Sequence, residues 1–361
     1  MKNGAKKALR ALVCLLAALL LALAGYIAYL FLSYSRLPDL LPLTVENGDS
    51  AAPRTETKYS LLSFNVGFGA YEPDFGFFMD GGTESRAFSR ERLEKNLANI
   101  AAFLQNEKAD FLFLQEVDED GTRTYHVNER EALTNALDGY AAVWAQNWDS
   151  AYLFYPFTQP HGKNRAGMLT FSRFGVSSAL RRSLPVETGF MKLLDLDRCY
   201  SVSRVPLENG SELVLYNVHL SAYTSDGTIA GRQLEMLVAD MAAEYAKGNY
   251  AVCGGDFNKD VLGDSPETFG MEDSGYNWAQ PIPPEIFEGT GLSLVAPIDR
   301  ENPVPSCRNA DGEYYEGQYV VTVDGFIVSD NVNVLQSTVI DTGFAYSDHN
   351  PVRLTFSLAA Q

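Results

Sequence analysis

A series of short apolar runs, each with a polar residue at or near one end, constrains the fold more than any other feature. Such runs, bounded by glycine and polar turn residues, predict strands that are buried on both faces. Only residues 89–107 and 232–246 have a long apolar pattern at helical spacing. We therefore expect an α/β fold in which two sheets pack together and are covered by helices. The clearest runs are "YSLLSFNV", "ADFLFLQEV", "ELVLYNVHL" and "NYAVCGG".

The polar residues at the strand ends form a pattern of their own. A single strand-terminal Asn or Asp is typical of a turn or a cap, and a single buried His is typical of a core imidazole. Here every apolar strand carries a carboxylate, an amide or an imidazole, and two of the four histidines belong to the set. The pattern predicts that the strand ends converge on one site. Its members are Asn65, Glu116, Asn217, His219, Asp256, Asn258, Asp324, Asp348 and His349.

The motifs "SFN", "LQE", "NVHL", "GGDFN", "VDGFIVS" and "SDHNPV", in that order, resemble the endonuclease/exonuclease/phosphatase superfamily. That group includes pancreatic-type deoxyribonucleases, abasic-site endonucleases, bacterial sphingomyelinases and inositol-polyphosphate 5-phosphatases. The resemblance covers about Tyr59 to Leu358. It implies a four-layer α/β sandwich of two mixed β-sheets flanked by helices, with catalytic domain 59–361. It also implies Mg²⁺-dependent hydrolysis of a phosphoester. Together with the apolar N-terminus described below, it makes the chain similar to a membrane-anchored, bacterial-type member of the superfamily.

The resemblance also implies a metal site. Glu116 is expected to be the principal Mg²⁺ ligand, because a carboxylate is a hard donor for a hard cation that keeps water and substrate oxygens. Asn65 is expected beside the metal and the phosphate, and Asp348 as a second ligand. Mn²⁺ is the alternative cation.

Catalytic roles follow from the same resemblance. Asp256 is expected to orient or deprotonate the attacking water, and Asn258 to contact the phosphoryl oxygens. Asp324 is expected to accept a hydrogen bond from His349, which then donates to the phosphate. His219 is expected to stabilise the pentavalent transition state. The two glycines of "GGDFN" are expected to let the backbone and the substrate approach closely.

Four further residues are predicted to bind the substrate. Asn217 matches the Asn position that stabilises the transition state in the family the motifs resemble. Arg86, Arg198 and Arg308 are candidate phosphate clamps.

The N-terminus contains 25 uncharged residues between Arg10 and Arg36. About 20 apolar residues suffice to cross a bilayer as a helix. The preceding Lys and Arg residues predict a cytoplasmic tail (1–10), a single-pass anchor in the cell membrane (11–35), a stalk (36–58) and an extracytoplasmic catalytic domain. A cleaved signal peptide is the alternative, since Ala22-Leu23-Ala24 has the small-x-small form.

The charge of the chain limits its substrates. The formal net charge is −18, which disfavours a processive binder of duplex DNA because such binding relies on Lys and Arg at the phosphates. A nucleic acid, a nucleotide or a lipid headgroup all satisfy the predicted chemistry, and no protein partner is inferred. The alternative function is a catalytically silent, membrane-tethered binding module on the same fold.

Two irregular segments are expected to have a role at the site. Residues 71–90 follow the first strand and are expected at the catalytic rim, where Phe75, Phe77 and Phe78 would contact a substrate or lipid, or simply pack. Residues 262–317 have no sustained period, which is typical of a functional loop or a lid.

Overall fold

The computed structural model describes residues 2–47, 51–190, 192–222, 228–271 and 278–360. Two long helices, one after the first central strand and one before the "GGDFN" strand, confirm the helical patterns in the sequence. Ser89 caps the first of them by accepting a hydrogen bond from the Arg92 amide. The described α-helices are α1 (Lys2–Ser33), α2 (Arg90–Glu107), α3 (Glu129–Ala136), α4 (Lys192–Asp195), α5 (Thr228–Tyr245) and α6 (Ser265–Thr268).

The strands follow the apolar runs. They are β1 (Leu41–Leu43), β2 (Val45–Glu46), β3 (Lys58–Asn65), β4 (Phe111–Gly121), β5 (Ala141–Asp149), β6 (Asn164–Ser172), β7 (Ser178–Ser183), β8 (Cys199–Pro206), β9 (Glu212–His219), β10 (Tyr250–Asp256), β11 (Leu292–Val295), β12 (Cys307–Arg308), β13 (Val320–Val321), β14 (Asp324–Ser329), β15 (Val332–Val339) and β16 (Val352–Leu358).

Most of these strands form two seven-stranded mixed sheets. One sheet has the order β1-β7-β8-β9-β10-β14-β11, and the other has the order β15-β16-β3-β4-β6-β5-β2. The pairs β3/β4 and β9/β10 are parallel, and the other pairs are antiparallel. Strands β12 and β13 form a separate small hairpin-like sheet.

The sheets pack face to face, and helices cover their outer faces. Leu61, Phe113, Val252 and Phe326 belong to the core between the sheets. The α2 residues Leu93, Leu97, Ile100 and Leu104 lie in a second core on the outside of one sheet. The α5 residues Leu234, Leu237, Val238 and Met241 lie in a third core on the outside of the other. The predicted four-layer sandwich is confirmed.

The helix α1 lies apart from these layers. Its Gly4–Ser33 portion is long and apolar enough to cross a membrane, and its most apolar window is fully exposed. By length and composition alone, the same helix also satisfies the criteria for a signal sequence.

The segment predicted to be a stalk differs from that expectation. Within 36–58, β1 pairs with β7 at the edge of one sheet, and β2 pairs with β5 at the edge of the other. The segment therefore covers an exposed edge of each sheet instead of acting as a free spacer. Edge pairing of this kind uses backbone hydrogen bonds, so it could not be predicted from the Pro- and Thr-rich composition of the segment.

Candidate active site

Strand register brings the predicted residues together. In the β9/β10/β14 part of its sheet, Asp256 lies opposite His219 on one side and opposite Asp324 on the other. In the facing sheet, Asn65 pairs with Gln115, the neighbour of Glu116. The strand ends therefore meet across the two sheets, where they line one cleft.

Asp256 lies at the centre of this cleft and is buried. Its carboxylate accepts hydrogen bonds from the Asn65 side chain (3.1 Å) and from the Asn258 amide (2.8 Å). His219 Nε2 and His349 Nε2 lie 3.6 and 3.8 Å from the same oxygen, Oδ2. Burial raises the pKa of Asp256 to about 7, an effect that His349 opposes and the Asp324 carboxylate reinforces. A carboxylate with this pKa is suited to accept a proton near neutral pH.

His349 forms a buried pair with Asp324. The Nδ1 atom of His349 lies 2.7 Å from Asp324 Oδ2, and this oxygen also accepts a hydrogen bond from the Ser306 hydroxyl. Burial opposes the imidazolium, but the Asp324 carboxylate outweighs it and raises the pKa of His349 well above its usual range. The Nε2 atom of His349 lies 3.6 Å from Cys307 Sγ and 3.8 Å from Asp256 Oδ2, and all three residues line the cleft. The raised pKa favours the imidazolium form, which can donate to an anionic oxygen.

His219 has the opposite electrostatic state. Burial, together with the nearby Arg198 and His349, lowers the pKa of His219 well below its usual range. Its Nδ1 atom has no hydrogen-bond partner within the described part of the chain. The two imidazoles near Asp256 Oδ2 therefore have pKa values shifted in opposite directions.

Glu116 enters the cleft from an irregular point of β4. The register between β4 and β6 shifts between Leu114 and Val117, and Glu116 itself has a φ of 54°. A positive φ at a residue other than glycine costs energy and is common where a side chain is aimed at a functional site. The Glu116 carboxylate accepts a hydrogen bond from the Asn65 side chain at 3.1 Å and lies 4.0 Å from His219.

The donor set around Glu116 fits a magnesium ion. Mg²⁺ is usually held by one or two carboxylates and otherwise keeps water and substrate oxygens. The described residues include no group of three His, Cys, Asp or Glu side chains arranged as metal ligands, and no Lys or Arg among them forms a salt bridge with Glu116. Burial raises the pKa of Asp348, the nearby His349 lowers it, and the Glu116 carboxylate raises it again. Glu116 and Asp348 therefore lie close enough to interact, and two neighbouring carboxylates are donors that suit Mg²⁺.

Asn65 is placed as a bridge between carboxylates. Its amide nitrogen donates to both Glu116 and Asp256, while its oxygen accepts from the Gly67 amide at 3.0 Å. In this orientation, Asn65 positions the two carboxylates and keeps them close together. Its role as a metal neighbour stays a prediction.

The two glycines of "GGDFN" serve packing. A Cβ atom at Gly255, which has a φ of 151°, would lie 2.0 Å from the Val218 carbonyl oxygen. One at Gly254 would lie 2.9 Å from Phe326. These glycines therefore let β10 lie close to β9 and to the core, and this packing fixes the position of Asp256.

The remaining predicted residues fall into different positions. Asn217 is buried between the sheets, where it donates to the Leu169 carbonyl and accepts from Gln115. Asn258 lines the cleft and donates to the Leu220 carbonyl. Their catalytic and substrate-binding roles stay predictions.

The three candidate arginine clamps also differ. Arg198 lines the cleft. Arg308 lines it as well, but its guanidinium donates to carbonyl oxygens that include those of Glu72 and Asn309. Arg86 donates to the Pro160 carbonyl and lines neither the cleft nor the pocket beside it.

A side pocket next to the cleft combines Trp148 and His161, which the sequence analysis did not single out, with residues of segment 71–90. We define the side pocket by Tyr71, Phe77, Met79, Trp148 and His161. Its lining and that of the cleft have five residues in common: Tyr71, Met79, Glu116, Arg198 and His219. Arg123 also lines it, paired with Asp118 and stacked over the Phe68 ring at 3.9 Å. His161 lies in a loop, and Trp148 lies near the end of β5, a strand that the apolar runs in the sequence did not predict.

The irregular segment 71–90 lies at the rim of the cleft, as expected. Phe75 and Phe77 are buried and pack with Tyr71 at ring distances of 4.8 and 5.8 Å. Packing is thus the main role of these two rings. From the other irregular segment, Trp278, Cys307 and Arg308 line the cleft, and residues 272–277 lie outside the described residues.

Comparison with known proteins identifies the family. Residues 62–349 match the model of the Endonuclease/Exonuclease/phosphatase family. The chain belongs to this family. Family membership makes it a hydrolase that acts on phosphoester bonds. No curated protein matches the sequence.

Solved structures of this family share the fold at low sequence identity. An endonuclease/exonuclease/phosphatase from Beutenbergia cavernae is 17% identical with a TM-score of 0.60, covering 84% of this chain and 72% of that one. A Bacteroides vulgatus member is 15% identical with a TM-score of 0.52, covering 84% and 100%. ANGEL2, a 2′,3′-cyclic phosphatase solved with adenosine-2′,3′-vanadate, is 18% identical with a TM-score of 0.53, covering 88% and 99%. At such identities, the similarity supports the fold.

Proposed function

We propose that this protein is a Mg²⁺-dependent phosphoester hydrolase that acts outside the cytosol, by in-line attack of water on phosphorus. The observation that carries the proposal is the meeting of Asp256, Glu116, His219 and the His349–Asp324 pair in one cleft. Family membership supplies the reaction class.

Asp256 is the proposed general base. Its carboxylate is held by the Asn65 side chain and the Asn258 amide, so its orientation is fixed before a substrate binds. With a pKa of about 7, it accepts a proton from water more readily than an ordinary carboxylate does.

His349 and His219 are the proposed donors to the phosphate. The Asp324 carboxylate holds His349 in its charged form, so Nε2 carries a proton directed at the cleft. Neutral His219, on the other side of Asp256, adds a hydrogen bond without adding charge. Fixed donors of this kind stabilise charge that develops on phosphoryl oxygens.

Glu116, with Asp348 near it, is the proposed holder of Mg²⁺. When bound, the cation would neutralise negative charge on the phosphate. Asn65 keeps Glu116 next to Asp256, which couples the position of the metal ligand to the position of the base.

The location of the enzyme is part of the proposal. The apolar helix α1 is proposed to be an uncleaved single-pass anchor, with Lys6, Lys7 and Arg10 on the cytoplasmic side. The catalytic domain then lies outside the cytosol.

Hydrolysis of bis(p-nitrophenyl) phosphate by the full chain in detergent tests the proposal. We expect release of p-nitrophenol with Mg²⁺, its loss with EDTA, and recovery when Mg²⁺ or Mn²⁺ is added back. Asp256→Asn should abolish turnover at an unchanged thermal midpoint, whereas the exposed control Asp138→Asn should keep it. A folded protein that releases no product with either cation would support the binding-module alternative.

A further inference from the structure

Four exposed aromatic side chains lie on two segments that touch the helix α1. Phe154, Tyr155 and Phe157 are 50, 62 and 84% exposed, and Phe190 is 62% exposed. Among the described residues outside α1, the only other exposed Phe, Tyr or Trp side chains are Phe88 and Tyr315. We call the four residues the aromatic patch.

The contacts with α1 are specific. Tyr26 donates to the Tyr152 carbonyl at 3.1 Å, and its ring lies 5.3 Å from that of Phe154. On the other segment, the Phe31 and Phe190 rings are 5.0 Å apart. The aromatic patch is therefore continuous with the end of the helix.

The length of α1 places these contacts relative to a membrane. Residues 4–25 of the helix are exposed, and partial burial against the domain begins at Tyr26. About 20 residues cross the hydrocarbon core, so a span that starts at Ala11 ends near Leu30. The residues of α1 that touch the aromatic patch thus lie at the outer boundary of the bilayer, where Tyr side chains are favoured.

The segment that carries Phe154, Tyr155 and Phe157 and the segment that carries Phe190 each continue to a residue that lines the site. Tyr155 packs on Phe78 at 5.7 Å, and Phe78 packs on His161 at 5.8 Å, which lines the side pocket with Glu116. On the other segment, Arg36 of the chain after α1 pairs with Asp197 at 3.1 Å. The next residue, Arg198, lines both the cleft and the side pocket.

We infer that the aromatic patch inserts into the outer leaflet beside α1, and that the site takes a membrane-resident phosphoester, whose apolar part remains in that leaflet. The inference rests on the proposed function and on an uncleaved anchor. The side pocket places Phe77, Met79 and Trp148 beside Arg123 and Arg198, a mixture of apolar and cationic groups that suits an amphiphilic phosphoester. The net charge of −18 disfavours a nucleic acid polyanion. We expect the aromatic patch to bind the bilayer interface and not a protein partner, because its contacts with α1 hold it at the depth of that interface.

Fluorescence quenching tests the insertion without reference to catalysis. The full chain is reconstituted in phosphatidylcholine vesicles with or without bromine on the acyl chains. After subtraction of the native signal, Phe157→Trp should be quenched at least about twofold by brominated lipid, because its ring would lie at the acyl boundary. The control Tyr315→Trp, at a similarly exposed position away from α1, should not be quenched. Equal behaviour of the two variants would overturn the inference.

A pair of chromogenic substrates tests the substrate class. Hexadecyl p-nitrophenyl phosphate is embedded in the vesicles, and bis(p-nitrophenyl) phosphate is supplied in solution. Phe157→Ser should lower kcat/KM about tenfold for the embedded ester and leave the soluble ester unchanged, whereas Tyr315→Ser should affect neither. An equal effect on both esters, or none, would contradict the inference. If the wild type hydrolyses neither ester, the proposed function fails, and the quenching result alone decides whether the aromatic patch is inserted.

Discussion

The cleft and the side pocket are adjacent, yet they are built differently. The cleft takes its polar groups from strand ends, such as Asp256 at the end of β10 and Asp324 at the start of β14. The side pocket takes Met79 and His161 from loops and Trp148 from near the end of β5. Strand register places Asp256 opposite both His219 and Asp324, whereas the side pocket depends on how loops pack. We therefore expect the cleft to carry the chemistry and the side pocket to carry substrate preference.

The largest expected effect comes from His349→Asn. The Asn amide nitrogen keeps a hydrogen-bond donor for Asp324, to which the Ser306 hydroxyl also donates, but the Nε2 donor to the phosphate is lost. We predict a loss of kcat of about 10³-fold on bis(p-nitrophenyl) phosphate, with a thermal midpoint close to that of the wild type. Exposed His126→Asn is the control. A variant that retains most of the activity would show that the strand-end site does not carry the chemistry.

The next effect is on stability, from Gly255→Ala. The added Cβ would lie 2.0 Å from the Val218 carbonyl oxygen, so β9 and β10 must separate at the point that places Asp256. We predict a loss of about 3 kcal/mol in the free energy of unfolding, measured by urea denaturation. Gly139→Ala, where a Cβ meets nothing within 4 Å, should change it little. An equal effect of the two substitutions would mean that the strand framework is less rigid than its register suggests.

Glu116→Gln should change the metal requirement. Loss of the carboxylate charge should raise the Mg²⁺ concentration for half-maximal activity by roughly 30-fold, while activity at saturating Mg²⁺ falls less. A titration of activity against Mg²⁺ measures this shift, with exposed Glu285→Gln as the control. An unchanged titration would remove Glu116 from the metal site.

The smallest effect should come from the side pocket. Met79 is 38% exposed and borders both the cleft and the side pocket. We predict that Met79→Ala raises KM about threefold more for the p-nitrophenyl ester of thymidine 5′-monophosphate than for bis(p-nitrophenyl) phosphate, since a partly exposed apolar contact contributes ~0.7 kcal/mol. Exposed Leu335→Ala should raise neither. A fall in kcat with no change in KM would assign Met79 to the chemical step and weaken the division between cleft and side pocket.

Much of the fold was readable from local patterns. Leu93, Leu97, Ile100 and Leu104 repeat at helical spacing and are buried on α2. The apolar runs form the central strands, because a short continuous apolar run is typical of a strand that is buried on both faces. The short strands β1 and β2 were not predicted, because edge pairing uses backbone groups that every sequence has.

The site was predictable where it follows strand ends. Asp256 and Asp324 adjoin apolar runs, and family motifs assigned them roles that the structure does not test. The opposite pKa shifts of His219 and His349 could not be read from the sequence, because they depend on which groups lie near each ring. The burial of Arg308 among carbonyl oxygens likewise appears only once the chain is folded.

The sequence by itself determined the central strands, the two long amphipathic helices and the polar residues that adjoin the strands, since these follow from apolar spacing along the chain. The tertiary structure decided the pairing of Asp256 with two histidines, the side pocket, and the contact of α1 with the aromatic patch. The reason is physical: local patterns fix secondary structure, whereas pKa values, pockets and surfaces arise from groups that are distant in sequence and adjacent in space.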